Sequence, residues 1–186
     1  MDGRQDTARL CPFLAHAMMR SLFAVRSHMN YWLMKSEPGN FSLDDLQRRP
    51  AQTEPWDGVR NYQARNFMRQ MQVGDQAFFY HSNARPSGIV GIVEIVRAAY
   101  PDPTQFDLES RYFDAKATVD APRWDLVEVK FVRAFRRIIA LEQLKAVPAL
   151  ADMAVVQKGS RLSVMPVSTA HWQVVLALAG AGEGRA

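Results

Sequence analysis

The sequence predicts an α+β domain with a mixed, strongly bent β-sheet and short helices around it. Runs of β-branched and aromatic residues recur along the chain, and short helical patterns stand between them. Strands and long helices do not alternate one to one, which argues against a doubly wound parallel sheet. The length of 186 residues suits one domain that buries most of its apolar surface.

Five segments have the composition of strands. They are residues 30–35, 77–81, 89–96, 124–133 and 163–167. The second and third are joined by a segment with Asn, Pro and Gly, which predicts a hairpin. The fourth is the longest, and in it Val127, Val129 and Phe131 alternate with Glu128 and Lys130.

Three helices are predicted from residues that cap their N-termini. Ser42 and Asp45 resemble a capping box that opens a helix through Leu46. Asn61 caps a second helix and Ser168 a last one. The apolar residues of the second helix recur at helical spacing, and they are Ala64, Phe67, Met68 and Met71.

Two weaker helical turns are predicted later in the chain. Residues 141–145 form the first, which Pro148 stops. Residues 150–157 form the second, which Lys158 and Gly159 end in the manner of a left-handed C-terminal cap.

Both ends of the chain differ in composition from its middle. Residues 1–29 are predicted to be a non-structural extension, although their arginines and apolar stretch also leave a signal or transit peptide open. Residues 10–19 are too short an apolar run for a transmembrane helix, so no membrane partner is expected. Residues 179–186 are predicted to be a disordered tail, which leaves residues 30–178 as the working domain.

Charge and cysteine content narrow the function classes. The net charge is +4, a mild indication of an acidic partner such as nucleic acid. The single cysteine, Cys11, excludes an internal disulfide framework and a cysteine-based metal cage. That usage is typical of a reducing compartment, so a cytoplasmic location is expected.

Three polar clusters are candidates for chemistry. Residues 35–38 follow the first strand, residues 56–66 join a glycine loop to a helix N-terminus, and residues 78–83 end a strand. Unpaired N–H groups at a helix N-terminus favour an acceptor-rich ligand, and Arg60 could donate two parallel hydrogen bonds to a phosphate or a base. Each cluster also has a structural interpretation: a solvated turn, a core tryptophan with a capped helix, and a satisfied strand histidine.

Motifs for common enzyme classes are absent from the sequence. Residues 29–186 contain only His81 and His171 and no cysteine, so neither a metal site nor a cofactor is expected. Phosphate-binding and dinucleotide-binding glycine loops are missing, as is a nucleophile elbow. The sequence therefore predicts a binding module without catalytic residues.

Basic residues outside these clusters could line a groove for a phosphate backbone. The predicted contacts are Arg65, Arg69, Lys130, Arg133, Lys158 and Arg161. An ordinary solvated surface explains the same charges equally well.

Three motifs in order resemble the EVE domain family. They are residues 31–38 (YWLMKSEP), residues 56–66 (WDGVRNYQARN) and residues 79–82 (FYHS). The resemblance covers about residues 30–178, and it implies a PUA-like fold, a bent β-barrel with peripheral helices. It also implies a module that binds nucleic acid and reads a modified base, notably a modified cytosine, in a polar-aromatic pocket.

By position in those motifs, the resemblance implies a set of pocket residues. They are Lys35, Ser36, Glu37, Trp56, Gly58, Val59, Arg60, Asn61, Tyr80, His81 and Ser82. Two alternatives stay open: an enzyme that acts on a modified base or nucleotide with Glu37 or His81 as acid or base, and a protein-interaction module. The partner is expected to be DNA or RNA with a modified base, bound by a monomer.

Overall fold

The computed structural model describes residues 29–181. Residues 1–28 of the extension predicted for residues 1–29 therefore lie outside the described residues, as do residues 182–186 of the predicted tail. Within 29–181 no helix has both the length and the apolar character that a membrane span requires.

Six strands form one mixed sheet in the described part of the chain. They are β1 (Tyr31–Ser36), β2 (Thr53–Pro55), β3 (Gln76–His81), β4 (Gly88–Pro101), β5 (Asp125–Ala140) and β6 (Val164–Val167), in the order β2-β5-β4-β3-β1-β6. β1 and β3 are parallel, and every other neighbouring pair is antiparallel. Register shifts interrupt the β3–β4 and β4–β5 pairs, and such bulges bend strands. β2 and β6 lie at opposite edges, so the mixed sheet is confirmed and the closed barrel is not.

Four helices pack around this sheet within residues 29–181. They are α1 (Leu43–Arg48), α2 (Tyr62–Met68), α3 (Leu141–Lys145) and α4 (Thr169–Ala181). The capping box of Ser42 and Asp45 is confirmed, and Asn61 accepts hydrogen bonds from two N–H groups of the first turn of α2. Ser168 accepts a hydrogen bond from the N–H of His171, which confirms the third cap. α4 includes residues 179–181, where the disordered tail was predicted to begin.

Several boundaries differ from the predictions. Residues 150–157 do not form a helical turn, because a 3₁₀ turn at Pro148–Leu150 leads into irregular turns. β2 is not among the five predicted strands, since its three residues form a strand only by pairing with β5. β5 extends seven residues beyond the predicted end at residue 133, because its second half pairs with the start of β4.

The sheet separates two apolar cores. Trp32 and Met34 of β1 pack on one side with α1 and α2, while Leu33 packs on the other side with α3 and α4. This alternation follows from the two-residue period of a strand. Both faces of β1 and β3 are therefore buried, and the polar residues of these strands are confined to their ends.

Candidate functional site

A cavity of about 890 Å³ opens at the ends of β1 and β3. Because these neighbouring strands are parallel, their carboxyl ends meet at one edge of the sheet. The loop before α2 and the segment before β6 complete the walls. A cavity of this size is within the range of small-molecule sites, which is about 300–1,000 Å³.

The three predicted polar clusters converge on this cavity. Ten of the eleven residues assigned to the pocket line it, and they are Lys35, Ser36, Glu37, Trp56, Gly58, Val59, Arg60, Asn61, Tyr80 and Ser82. Their proximity is a property of the fold, while their role in binding a ligand stays a prediction.

His81 is the predicted pocket residue that does not line the cavity. Tyr80 and Ser82 face the cavity, and His81 lies between them on the opposite side of the strand. Its Nε2 accepts a hydrogen bond from the Leu43 N–H at 3.2 Å, and its ring packs edge-on against Phe79. Burial lowers the pKa of His81, which favours the neutral, accepting form. His81 thus anchors the start of α1, and it does not share the cavity with Glu37 as an acid–base partner.

Arg60 lines the cavity, but its guanidinium is held by the protein. It donates four hydrogen bonds, to the carbonyls of Tyr112 and Val59, to the Asp102 carboxylate at 2.8 Å and to the Thr104 hydroxyl. Asp102 is fully buried. Burial by itself raises the pKa of Asp102, but hydrogen bonds from Thr104, Arg60 and the Gly58 N–H outweigh it and hold the pKa below its ordinary value. These hydrogen bonds stabilise the loop before α2, while direct contact of Arg60 with a phosphate or a base stays a prediction.

Gly58 allows the loop before α2 to approach Tyr112. Its φ is +73°, and a Cβ atom built on it would lie 2.4–2.8 Å from the ring atoms of Tyr112. The N–H of Gly58 donates to Asp102 at 3.0 Å. Both the backbone conformation and the close contact thus require glycine here.

The cavity combines aromatic walls with a partly buried cation. Trp56 and Tyr80 are largely buried, with 8% and 3% of their surface exposed. The Nζ of Lys35 lies 5.8 Å from the centre of the Tyr80 ring and donates to the carbonyl of Ser160 at 3.3 Å. Burial lowers the pKa of Lys35. Such a site offers a flat apolar surface together with charged donors, which is what a polar heterocycle requires.

Sequence reasoning missed about half of the lining. The residues that were not predicted include Asn40, Phe41, Arg49, Glu54, Asp57, Asn83, Ser87, Arg111, Tyr112, Ser160 and Ser163. Asp57 stands inside a quoted motif, so that motif was the available signal. Tyr112 has no comparable signal, because it lies in a long irregular segment and reaches the site by packing on Gly58.

Two of the six predicted phosphate contacts adjoin the cavity, while the role of all six in binding a phosphate backbone stays a prediction. Arg161 lines the cavity, and Lys158 lines an adjoining depression that shares Lys35 and Tyr80 with it. Arg69 forms an ion pair with Asp125.

Arg65 and the two basic residues of β5 lie outside the cavity lining. The Arg65 guanidinium donates to the carbonyl of Arg123 at 2.6 Å and lies 4.9 Å from the centre of the Tyr62 ring. Lys130 is exposed on β5 opposite Thr53, and the Arg133 guanidinium lies 5.2 Å from the centre of the Phe135 ring. Lys158 and Arg161 are therefore the members of the predicted set that adjoin the cavity.

Known proteins resemble this chain in both sequence and structure. Thymocyte nuclear protein 1 of Mus musculus is 45% identical over 166 residues, which cover 80% of this chain and 73% of that protein. A crystal structure of a protein from Pseudomonas syringae is 53% identical, covers 80% of this chain and 99% of its own, and has a TM-score of 0.77. Human THYN1, solved in complex with DNA that contains 5-methylcytosine, is 43% identical with a TM-score of 0.77 and covers 81% of this chain and 97% of its own.

A family model agrees with these pairwise similarities. The model of the EVE domain matches residues 30–178, which contain all six strands and every cavity residue described above. This chain belongs to the EVE domain family.

Proposed function

We propose that residues 30–178 form a domain that binds DNA and reads a modified cytosine in the cavity at the ends of β1 and β3. The observation that carries this proposal is the convergence of three polar-aromatic segments on one open cavity of about 890 Å³. The relative human THYN1, at 43% identity, has been solved with DNA that contains 5-methylcytosine, which supports the same class of ligand for this chain.

The base would enter the cavity after it is extruded from the DNA stack. Extrusion costs a few kcal/mol, which contacts inside the cavity and at the phosphates must offset. Contact of the base with the small exposed parts of Trp56 and Tyr80 would contribute less than the roughly 1–3 kcal/mol of a base stacked on a fully accessible ring. A cavity that holds the base tightly then senses an added methyl group by shape.

Polar groups around the cavity would read the edge of the base. The Ser36 hydroxyl donates to the Phe41 carbonyl at 2.6 Å, so its oxygen is left as an acceptor. The Asn61 carbonyl oxygen caps α2, so the amide NH₂ of Asn61 is left as a donor. Lys35 adds a cation that lies within the site. These groups support a binding role in which the base is held and not transformed.

Binding of methylated and unmethylated DNA tests the proposal. We expect tighter binding of a duplex with one 5-methylcytosine than of the same duplex with cytosine, measured by fluorescence anisotropy. Lys35→Gln should weaken binding of both duplexes about tenfold, since hydrogen bonds to charged groups contribute about 1.5–3 kcal/mol. Lys116→Gln makes the same chemical change at an exposed residue outside the lining and should leave binding unchanged. Equal, salt-insensitive binding of both duplexes would contradict the proposal.

The cellular location stays a prediction. A cytoplasmic location was expected from the cysteine content, whereas the vertebrate relatives carry the name of a nuclear protein. Immunofluorescence of the tagged full chain decides between the two.

A further inference from the structure

We propose that Asp57 selects cytosine-type bases over thymine by accepting a hydrogen bond from the 4-amino group of the base. This inference rests on the proposed function and names the residue that gives it chemical specificity. Asp57 lies in the cavity wall between the buried Trp56 and the fixed Gly58.

Three carboxylates line the cavity, and two of them are already engaged. Glu37 accepts hydrogen bonds from the side-chain amides of Asn83 at 2.6 Å and Asn40 at 3.3 Å. Glu54 forms an ion pair with Arg49 at 2.8 Å. Among residues 29–181, no other side chain donates a hydrogen bond to the Asp57 carboxylate or forms an ion pair with it. Within the same range only its own backbone N–H donates to the Asp57 carboxylate, so a ligand in this cavity finds lone pairs on it that no other side chain uses.

The surroundings of Asp57 increase its demand for a donor. Burial, and then the negative charge of Asp102, raises the pKa of Asp57, while a hydrogen bond from its own backbone N–H, followed by the charges of Arg60 and Arg111, acts in the opposite direction. A carboxylate that has lost part of its hydration gains more from an N–H donor than one in bulk water. The neighbouring backbone is held, because the Gly58 N–H donates to the buried Asp102. The backbone that carries this exposed carboxylate at the cavity wall is therefore held in place.

The edges of the two bases differ where a carboxylate would meet them. Cytosine presents 4-amino donors, whereas thymine presents the O4 acceptor at the same place. The 5-methyl group is common to thymine and 5-methylcytosine, so shape at that position cannot separate them. A carboxylate opposite the 4-position accepts a hydrogen bond from the 4-amino group of cytosine, whereas it is repelled by the O4 oxygen of thymine. This difference corresponds to about 10-fold to 100-fold in affinity, as for other specific contacts to a base edge.

Replacement of the carboxylate by an amide gives a sharp test. In Asp57→Asn the side chain keeps its size, but it can rotate to offer either its oxygen to a 4-amino group or its NH₂ to O4. We expect the preference for 5-methylcytosine over thymine to fall from at least about tenfold to about twofold or less. Asp152→Asn makes the same substitution at an exposed carboxylate outside the lining and should preserve the preference.

The DNA probe is designed so that extrusion does not mask the contact. Each 5-methylcytosine or thymine is placed opposite an abasic position in the same duplex, so that neither base has to be unpaired. Binding is measured by anisotropy for wild type, Asp57→Asn, Asp57→Ala and Asp152→Asn, after a thermal melt establishes that each variant is folded. Asp57→Ala should weaken binding of 5-methylcytosine and leave binding of thymine equal or tighter.

The outcomes separate this inference from the proposed function. If wild type binds neither probe, the proposed function fails and the inference with it. If wild type binds 5-methylcytosine but binds thymine equally well, the inference alone is overturned. An unchanged preference in both Asp57 variants overturns it as well.

Discussion

Arg60 illustrates how a residue's chemistry and its role diverge at the scale of single side chains. An arginine in a glycine loop before a helix has the donors to bind phosphate or a base edge. In this fold the same donors satisfy Asp102, Thr104 and two carbonyls, so the residue stabilises the loop that forms the cavity. Sequence identifies the residue type and its neighbourhood, whereas three of the four partners, Tyr112, Asp102 and Thr104, come from segments more than forty residues away.

Removal of the Arg60 side chain should destabilise the domain. In Arg60→Ala the fully buried Asp102 loses its ion-pair partner, and breaking a buried pair costs about 3–5 kcal/mol. We expect a loss of about 3 kcal/mol in the free energy of unfolding, the lower end of that range, because one fifth of the Arg60 side chain is exposed. Urea denaturation measures it, with Arg48→Ala as an exposed control that should change little. Unchanged stability together with lost DNA binding would return Arg60 to the role of a direct ligand contact.

Gly58 should be intolerant of even a methyl group. Gly58→Ala combines the cost of a positive φ with a collision between its Cβ atom and the Tyr112 ring. Gly74→Ala is the matched control, since its φ is also positive at +94° but nothing lies within 4 Å of the added Cβ. We expect a loss of about 1 kcal/mol at Gly74 and at least about 2 kcal/mol at Gly58, with DNA binding impaired only at Gly58. Equal losses of stability at both sites would mean that the Tyr112 ring moves away from the added Cβ atom at no cost in free energy.

His81 should make stability depend on pH in the weakly acidic range. The folded state lowers the pKa of His81 below its value of about 6.5 in the unfolded chain. The unfolded state therefore takes up the proton first as the pH falls, and the free energy of unfolding decreases below about pH 6.5 and is level above it. Chemical denaturation between about pH 5 and 8 measures the slope. His81→Gln should flatten it, because the group whose pKa differs between the folded and unfolded states is then removed.

At the scale of elements, sequence patterns predicted the features that depend on residues close together in the chain, such as helix caps. The capping residues Ser42, Asn61 and Ser168 were predictable, because each cap is formed by hydrogen bonds within four residues. β2 and the second half of β5 were not predictable, because these segments become strands through pairing with distant partners. Thr53–Pro55 is short and partly exposed, so its sequence alone has the appearance of a loop.

The capping box at α1 gives the prediction that belongs to this scale. Ser42→Ala removes the acceptor for the Asp45 N–H at 3.1 Å and should cost about 1 kcal/mol in the free energy of unfolding. Asp45→Ala removes the reciprocal bond to the Ser42 N–H at 2.9 Å. Because the two side chains also bind each other at 2.7 Å, the double variant should lose less than the sum of the single losses. Strict additivity in urea denaturation would contradict a coupled box.

At the scale of the whole molecule, the cavity is a product of topology. Parallel pairing of β1 with β3 aligns Lys35 and Ser36 with Tyr80 and His81, although they lie some forty-five residues apart in sequence. Sequence periodicity predicted β1 and β3 as strands but not that they pair. The convergence of the three polar clusters on one cavity was predicted only from the resemblance to a family. Neither periodicity nor the family resemblance predicted that Tyr112 lines the cavity, since its position depends on an irregular segment that packs on Gly58.

The response of DNA binding to salt is the prediction that tests this overall arrangement. Each phosphate contact changes the slope of log K against log salt concentration by about 0.9 for duplex DNA. Within the described residues, Arg161 lines the cavity without an ion pair, whereas Arg69 is paired with Asp125. We expect Arg161→Gln to make the slope less steep by about 0.9, the contribution of one phosphate contact, and Arg69→Gln to leave the slope unchanged. Titrations at four salt concentrations measure both slopes. If Arg69→Gln reduces the slope and Arg161→Gln does not, the DNA follows α2 and not the cavity rim.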